Sequence, residues 1–167
     1  MPQRYFVPSG AMPTTAPIAK IATGTSTKTI LQIATSAGNP VKIEKWGISF
    51  DGTTANTPVQ CELIETGSVA ATVTAHVASG VMQFDMVGDG GASNLTLGTA
   101  ATGYNATAEG TITATRLGDM QLVPPTSGVT WHFPLAQEFL VPPSRILRVR
   151  VTTTPSVGCW TYVQLSA

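Results

Sequence analysis

Charge is scarce in this chain. Nine Lys and Arg face nine Asp and Glu among 167 residues, less than half the usual share of about 25%. The formal net charge is zero. A protein devoted to nucleic acid draws its affinity from Lys and Arg that neutralise phosphates, so that class is excluded. Histidine and cysteine are scarcer still, at two each. No Cys-x-x-Cys or Cys/His cluster exists, which excludes a structural zinc. No apolar run reaches the roughly 18 residues of a membrane span. The opening stretch MPQRYFVPSGAMPTTAP is broken by four prolines, so neither a membrane partner nor a signal peptide is expected. The glycine spacings of dinucleotide and P-loop sites are absent, and no cofactor is expected.

What the chain has instead is hydroxyl, with 26 Thr and 11 Ser, and a length that fits one domain with a real core. Residues 1–27 carry Pro2, Pro8, Pro13 and Pro17 without a stable period, and read as an extended N-terminal arm. Residues 28–167 read as the domain. Thr29 to Ala34 is β-rich and precedes the turn Ala37-Gly38-Asn39-Pro40. In Val41 to Asp51 the apolar parity slips at Glu44-Lys45, which predicts a β-bulge there. Val59, Cys61 and Leu63 alternate with polar residues as in a half-buried antiparallel strand. Val69 to Ser79 fits both helical and strand spacing, and its β-branched content favours strand. Residues 85–108 read as a long excursion with a short strand at Asn94 to Leu97, and so as a contact surface.

Thr111 to Leu117 and Met120 to Val123 read as two short strands around Gly118-Asp119. Val129, Trp131, Phe133 and Leu135 alternate more cleanly than any other segment. Arg145 to Thr153 and Cys159 to Leu165 complete the set. Eight or nine short strands without an amphipathic helix predict an all-β antiparallel sandwich of jelly-roll or Greek-key type.

Candidate chemistry is thin. His132 lies on the polar parity of its strand, and His76 sits among small residues in a structural setting. Ser49 lacks the second glycine of a nucleophile elbow. Glu62 and Glu65 project to opposite faces of a regular strand and so cannot share a site. Asp85 and Asp89 flank glycines and could hold calcium, without the spacing of an EF-hand. Cys61 and Cys159 read as buried free thiols, with a disulfide the open alternative. Trp46 and Trp131 fall on apolar parities and are expected in the core, whereas Trp160 is left open as a sugar-stacking platform. Asn94-Leu-Thr96 and Asn105-Ala-Thr107 match the glycosylation pattern.

The zero net charge hides a division. Residues 1–45 hold five basic side chains and one acid, residues 46–115 hold six acids and no Lys or Arg, and residues 116–167 hold four Arg and two acids. Either the molecule is polarised or strands from the three segments interleave and mix the charges.

The series KTILQI, VKIEKWGISFDGT, PVQCELIET, ATVTAHVASG, LTLGTAATGYNATAEGT, FLVPPSRILRVRVTT and CWTYVQL resembles a family of small β-rich virion proteins from tailed phages of actinobacteria. It spans Lys28 to Leu165. The resemblance implies a capsid decoration or minor head protein, commonly a homotrimer, attached to the major capsid protein on the outside of a virion assembled in the host cytoplasm. A tail or fibre component is the nearest alternative, and a carbohydrate-binding sandwich module a further one. The family carries no catalytic motif, and no enzymatic activity is expected. Contact residues are expected from the arm, at Arg4, Tyr5 and Phe6, and from the excursion, at Asp89, Asn94 and Tyr104.

Overall fold

The computed structural model describes residues 3–55, 57–84, 94–99 and 101–167. Its strands are β1 (Arg4–Pro8), β2 (Ile21–Ala22), β3 (Lys28–Ala34), β4 (Val41–Phe50), β5 (Val59–Glu65), β6 (Thr72–Ala75), β7 (Met82–Gln83), β8 (Gly103–Ala108), β9 (Arg116–Val123), β10 (Gly128–His132), β11 (Phe139–Val141), β12 (Ile146–Thr152) and β13 (Gly158–Ser166). They form two antiparallel sheets. The first orders β10-β4-β13-β1-β7, with β11 also on β4 and β2 also on β13. The second orders β6-β8-β3-β12-β5-β9. One apolar cluster joins them, with Tyr5, Val7, Trp46 and Val163 from the first sheet and Leu31, Leu63, Leu147 and Val149 from the second. The architecture is an all-β sandwich.

The expected bulge is present. Lys45 pairs with Gln164 and Ile43 with Leu165, so Glu44 is the extra residue of β4. That insertion lets Ile43 and Trp46, of opposite parity, both point into the core. Val59, Cys61 and Leu63 face inward along β5 as read, and β12 and β13 form where strands were expected.

Other expectations are corrected. Residues 4–8 do not run free as part of an arm; β1 lies between β13 and β7. Its interior is proline-free, Tyr5 and Val7 alternate into the core, and Pro8 falls at the end of the strand, where a missing donor costs least. The excursion contains a strand, β8, that pairs with both β3 and β6, whereas Leu95 makes only an isolated bridge to Thr35. Residues 85–93, with Asp85 and Asp89, lie outside the described residues. The segment 69–79 keeps only β6, followed by a 3-10 turn at Ala78–Gly80. Gly118-Asp119 does not divide two strands, because β9 runs through it. Leu63 pairs with Asp119 and Ile64 with Leu117, so Gly118 is a bulge. A Cβ there would lie 3.2 Å from the Phe139 ring, and glycine lets that ring close over the strand.

The charges interleave. Of six ion pairs among the described residues, five join the acidic segment 46–115 to a flanking one: Lys20–Asp51, Arg116–Glu65, Arg145–Glu65, Arg148–Glu109 and Arg150–Glu62. The sixth is Arg4–Glu44. Glu62 and Glu65 accordingly serve different arginines.

Candidate interaction surfaces

Over β3 and β12 the outer face of the second sheet is roofed by the chain's own loops. Gln32 is fully buried, donating to the Ala101 carbonyl and accepting from the Ala71 amide, both at 2.8 Å. Arg148, also fully buried, donates to the carbonyls of Glu109 and Val69 at 2.7 and 2.8 Å and to the Glu109 carboxylate at 3.2 Å. That carboxylate also accepts from the Thr29 amide and hydroxyl. Burial pulls the Arg148 pKa down, and Glu109 acts against it. Ala34, Ile146, Ala101 and Ala70 fill the remaining space as a second small apolar cluster. Over these two strands the face is closed by the chain itself.

One side of the sandwich is different. It is formed by β9, the edge of the second sheet, and by β10 and β11 of the first. Six of the twelve exposed large apolar residues among those described belong to these strands and the loop after β10: Leu117, Met120 and Leu122 on the outward parity of β9, and Trp131, Leu135 and Leu140 at the edge of the first sheet. Met120 and Leu122 are 70% exposed and Leu135 is 91% exposed. The expectation of a buried Trp131 is corrected, since it is 43% exposed. It stands beside the buried Trp46 on the core-facing parity, but β10 is an edge strand with no neighbour beyond it. Asp119, Arg116 and Glu138 are satisfied within the chain. Asp119 accepts from the Trp46 indole at 2.9 Å and the Met120 amide at 2.8 Å. Arg116 binds Glu65 and the Leu140 carbonyl and lies 4.3 Å from the Phe139 ring centroid. Glu138 accepts from the Ala136 amide, and its carboxyl is held below the usual range by such backbone bonds. β9 is eight residues long, and among the described residues its far edge pairs with no other strand.

The outer face of the first sheet is the second uncovered surface. Residues opposite one another across a sheet share a face, so Trp160 shares one with Ser49 and Gly128, and Tyr162 shares one with Gly47 and Thr130. Phe6 stacks on Tyr162 with centroids 5.1 Å apart, and Phe84 leans on Phe6 at 5.8 Å. Trp160 is 44% exposed, its indole N–H held by the Ile18 carbonyl at 3.0 Å.

The five expected contact residues that are described are not brought together. Arg4 is exposed and paired with Glu44, Phe6 joins the aromatic strip, and Tyr5 between them is buried in the core. Asn94 and Tyr104 belong to the other sheet's side. Asn94 accepts from Asn39 at 3.3 Å, and Tyr104 packs 4.9 Å from the ring of His76. Asp89 is outside the described residues. His76 is buried, its ring bonded to the Pro8 carbonyl at 2.8 Å, and burial lowers its pKa. His132 is exposed. Cys61 and Cys159 are buried free thiols, each pushed up to about 12 by burial. Sequence reasoning missed Leu117, Met120, Leu122, Tyr162 and Phe84. The alternation in Leu117 to Val123 and in Trp160-Thr161-Tyr162 was the available signal.

Comparison with known protein families, curated proteins and solved structures found no match.

Proposed function

We propose that this chain is a structural virion protein that decorates the outside of a phage head and cements it. The identity of the particle rests on the resemblance to actinobacterial phage virion proteins. The observation that supports an assembly role is the β9 edge of the second sheet, where Leu117, Met120 and Leu122 stand exposed on a strand that pairs on one side only among the described residues. An edge of that kind is a ready surface for another chain. Contacts made through such apolar side chains are screened little by salt.

On this reading the major capsid protein is the partner and the subunits associate as a homotrimer. The sandwich is a jelly-roll or Greek-key variant, and residues 9–20 take the place of the arm. Each copy touching two shell proteins stabilises only the assembled shell, so binding shifts the assembly equilibrium by mass action.

The test is addition of purified protein to heads that lack it, followed by heating. Heads should bind it and withstand higher temperature, and the triple variant Leu117→Lys, Met120→Lys, Leu122→Lys should bind neither heads nor itself. Failure of the wild-type protein to bind heads would end the proposal. Binding to tails in place of heads would replace it with the tail or fibre reading.

A further inference from the structure

We infer that copies of this chain join head to tail, the turn that carries Leu135 on one copy entering a groove beside β9 on the next. The inference rests on the assembly reading above and names the two parts that meet.

Pro134, Leu135, Ala136 and Gln137 form a tight turn after β10, closed by the Gln137 amide on the Pro134 carbonyl at 2.9 Å. Ala136, third of the four, has a φ of 68°, at a position that such a turn ordinarily gives to glycine. The Glu138 carboxylate accepts from its amide at 3.1 Å and holds it there. Strained backbone persists where its surroundings fix it, and it gathers at working sites. What this turn holds out is Leu135, at 91% exposure.

The groove lies elsewhere. It has a volume of about 570 Å³ and is lined by Gln60, Cys61 and Glu62 of β5, Met120, Gln121 and Leu122 of β9, and Thr152 of β12. Met120 stands opposite Glu62, and Leu122 opposite Gln60, which has Thr152 on its other side. These are outward side chains of the second sheet, whereas Cys61 and Gln121 have the inward parity. No residue of the turn is among them. The knob belongs to the edge of the first sheet and the groove to the outer face of the second, so the chain does not fill its own groove.

Charge favours a second copy as the occupant. Lys42 is exposed, lies across from Leu140, and adds to the backbone bonds that lower the Glu138 carboxyl. It enters none of the ion pairs among the described residues. In the groove wall, Glu62 is the more exposed member of its pair with Arg150, at 29% against 13%. A cation beside the knob thus complements a carboxylate beside the groove. Access is open as well. The strands that end the sheets elsewhere, β6, β7 and β10, have four, two and five residues against eight in β9, and short edges are the usual guard against pairing. Knob and groove are different surfaces, so the contact is heterologous and closes a ring when its rotation allows, here the three copies of the reading above.

The experiment is analytical ultracentrifugation of the full chain over a concentration series, with circular-dichroism melts of every variant. Wild type should form a trimer. Leu135→Asp removes the knob, and Met120→Asp with Leu122→Asp removes the apolar wall of the groove. Each should raise the midpoint concentration of association about tenfold or more, the effect of losing one buried apolar contact, while unfolding stays cooperative. An equimolar mixture of the two should form a two-copy species and nothing larger, because one chain keeps its groove and the other its knob. Aspartate on both sides keeps the altered surfaces from pairing with each other. A monomeric wild type, a variant that associates as wild type does, or a mixture that stays monomeric would each overturn the inference. So would a closed wild-type dimer, since a two-fold contact is not head to tail. Head binding that persists without self-association would end this inference alone, and self-association without head binding would end the decoration reading alone.

Discussion

Two parts of this sandwich's outer surface have the same secondary structure and opposite fates. Over β3 and β12 the sheet is roofed by loop backbone at Val69, Ala71, Ala101 and Glu109, while the outer face of β4, β13 and β1 stays open. The difference lies in one kind of residue. Gln32 and Arg148 stand on the outward parity of their strands and are fully buried, and each ties loop backbone groups down. The matching positions of the first sheet hold Gly47, Ser49, Trp160 and Tyr162, which offer loops no comparable set of hydrogen bonds. A buried polar anchor turns a sheet face into interior, and an aromatic without one leaves it as surface.

The strongest way to break this contrast is to remove the roof's main anchor. Arg148→Met keeps the unbranched stem of the side chain but takes the guanidinium away from two carbonyls and from the Glu109 carboxylate, which keeps its bonds to Thr29. Breaking a buried ion pair costs about 3 to 5 kcal/mol. The lower end is expected here, because the Glu109 side chain is 29% exposed and water can reach it. Urea unfolding should show the loss, and Arg148→Met with Glu109→Gln should recover part of it. A single variant as stable as wild type would mean that the roof is held by its apolar contacts alone.

His76 joins the two regions. Its amide donates to Thr102 in the roof, and its ring donates to Pro8 at the end of β1. Burial lowers its pKa, with the Pro8 bond acting the other way. The folded state therefore takes up this proton less readily than the unfolded one. Stability should be complete above the ordinary histidine value of about 6.5 and should fall as pH drops through the window below it. Asp51, lowered chiefly by its bond to Lys20, loses its contribution as pH falls too, but through the carboxylate range further down. Denaturation midpoints at about pH 7.5 and about pH 5 should differ in the wild type and differ less in His76→Gln. An unchanged slope would assign the dependence to carboxylates.

Much of the core was legible in the amino-acid sequence because alternation is a local property. Cys61 and Leu63 face inward for the reason visible in the pattern, and the parity slip at Glu44-Lys45 locates the bulge to that pair, of which Glu44 is the extra residue. What alternation cannot carry is a strand's place in its sheet. Trp131 has the inward parity and still meets water, because β10 has no neighbour on one side. Gln32 and Arg148 have the outward parity and still are interior, because their covers come from more than 30 residues away in sequence. β1 was missed for a related cause, since its partner β13 lies at the other end of the chain. The candidate sites were partly visible: Trp160 as an aromatic of unassigned face, the β9 side chains as an alternating run. The groove beside Met120 and Leu122 depends on register across three strands, and no local pattern contains it.

The smallest expected effect on stability sharpens the contrast from the open side. Met120 and Leu122 face outward from an edge strand at 70% exposure, so Met120→Lys with Leu122→Lys removes little packing and buries no charge. Surface changes of this kind stay within about 0.5 kcal/mol, and lysine on an edge strand also discourages pairing with another chain. Unfolding free energy should thus be nearly unchanged while association, read by light scattering over a concentration series, falls. The opposite pattern, lost stability with association intact, would show that β9 is held by a cover of its own and that the two surfaces differ less than their exposure suggests.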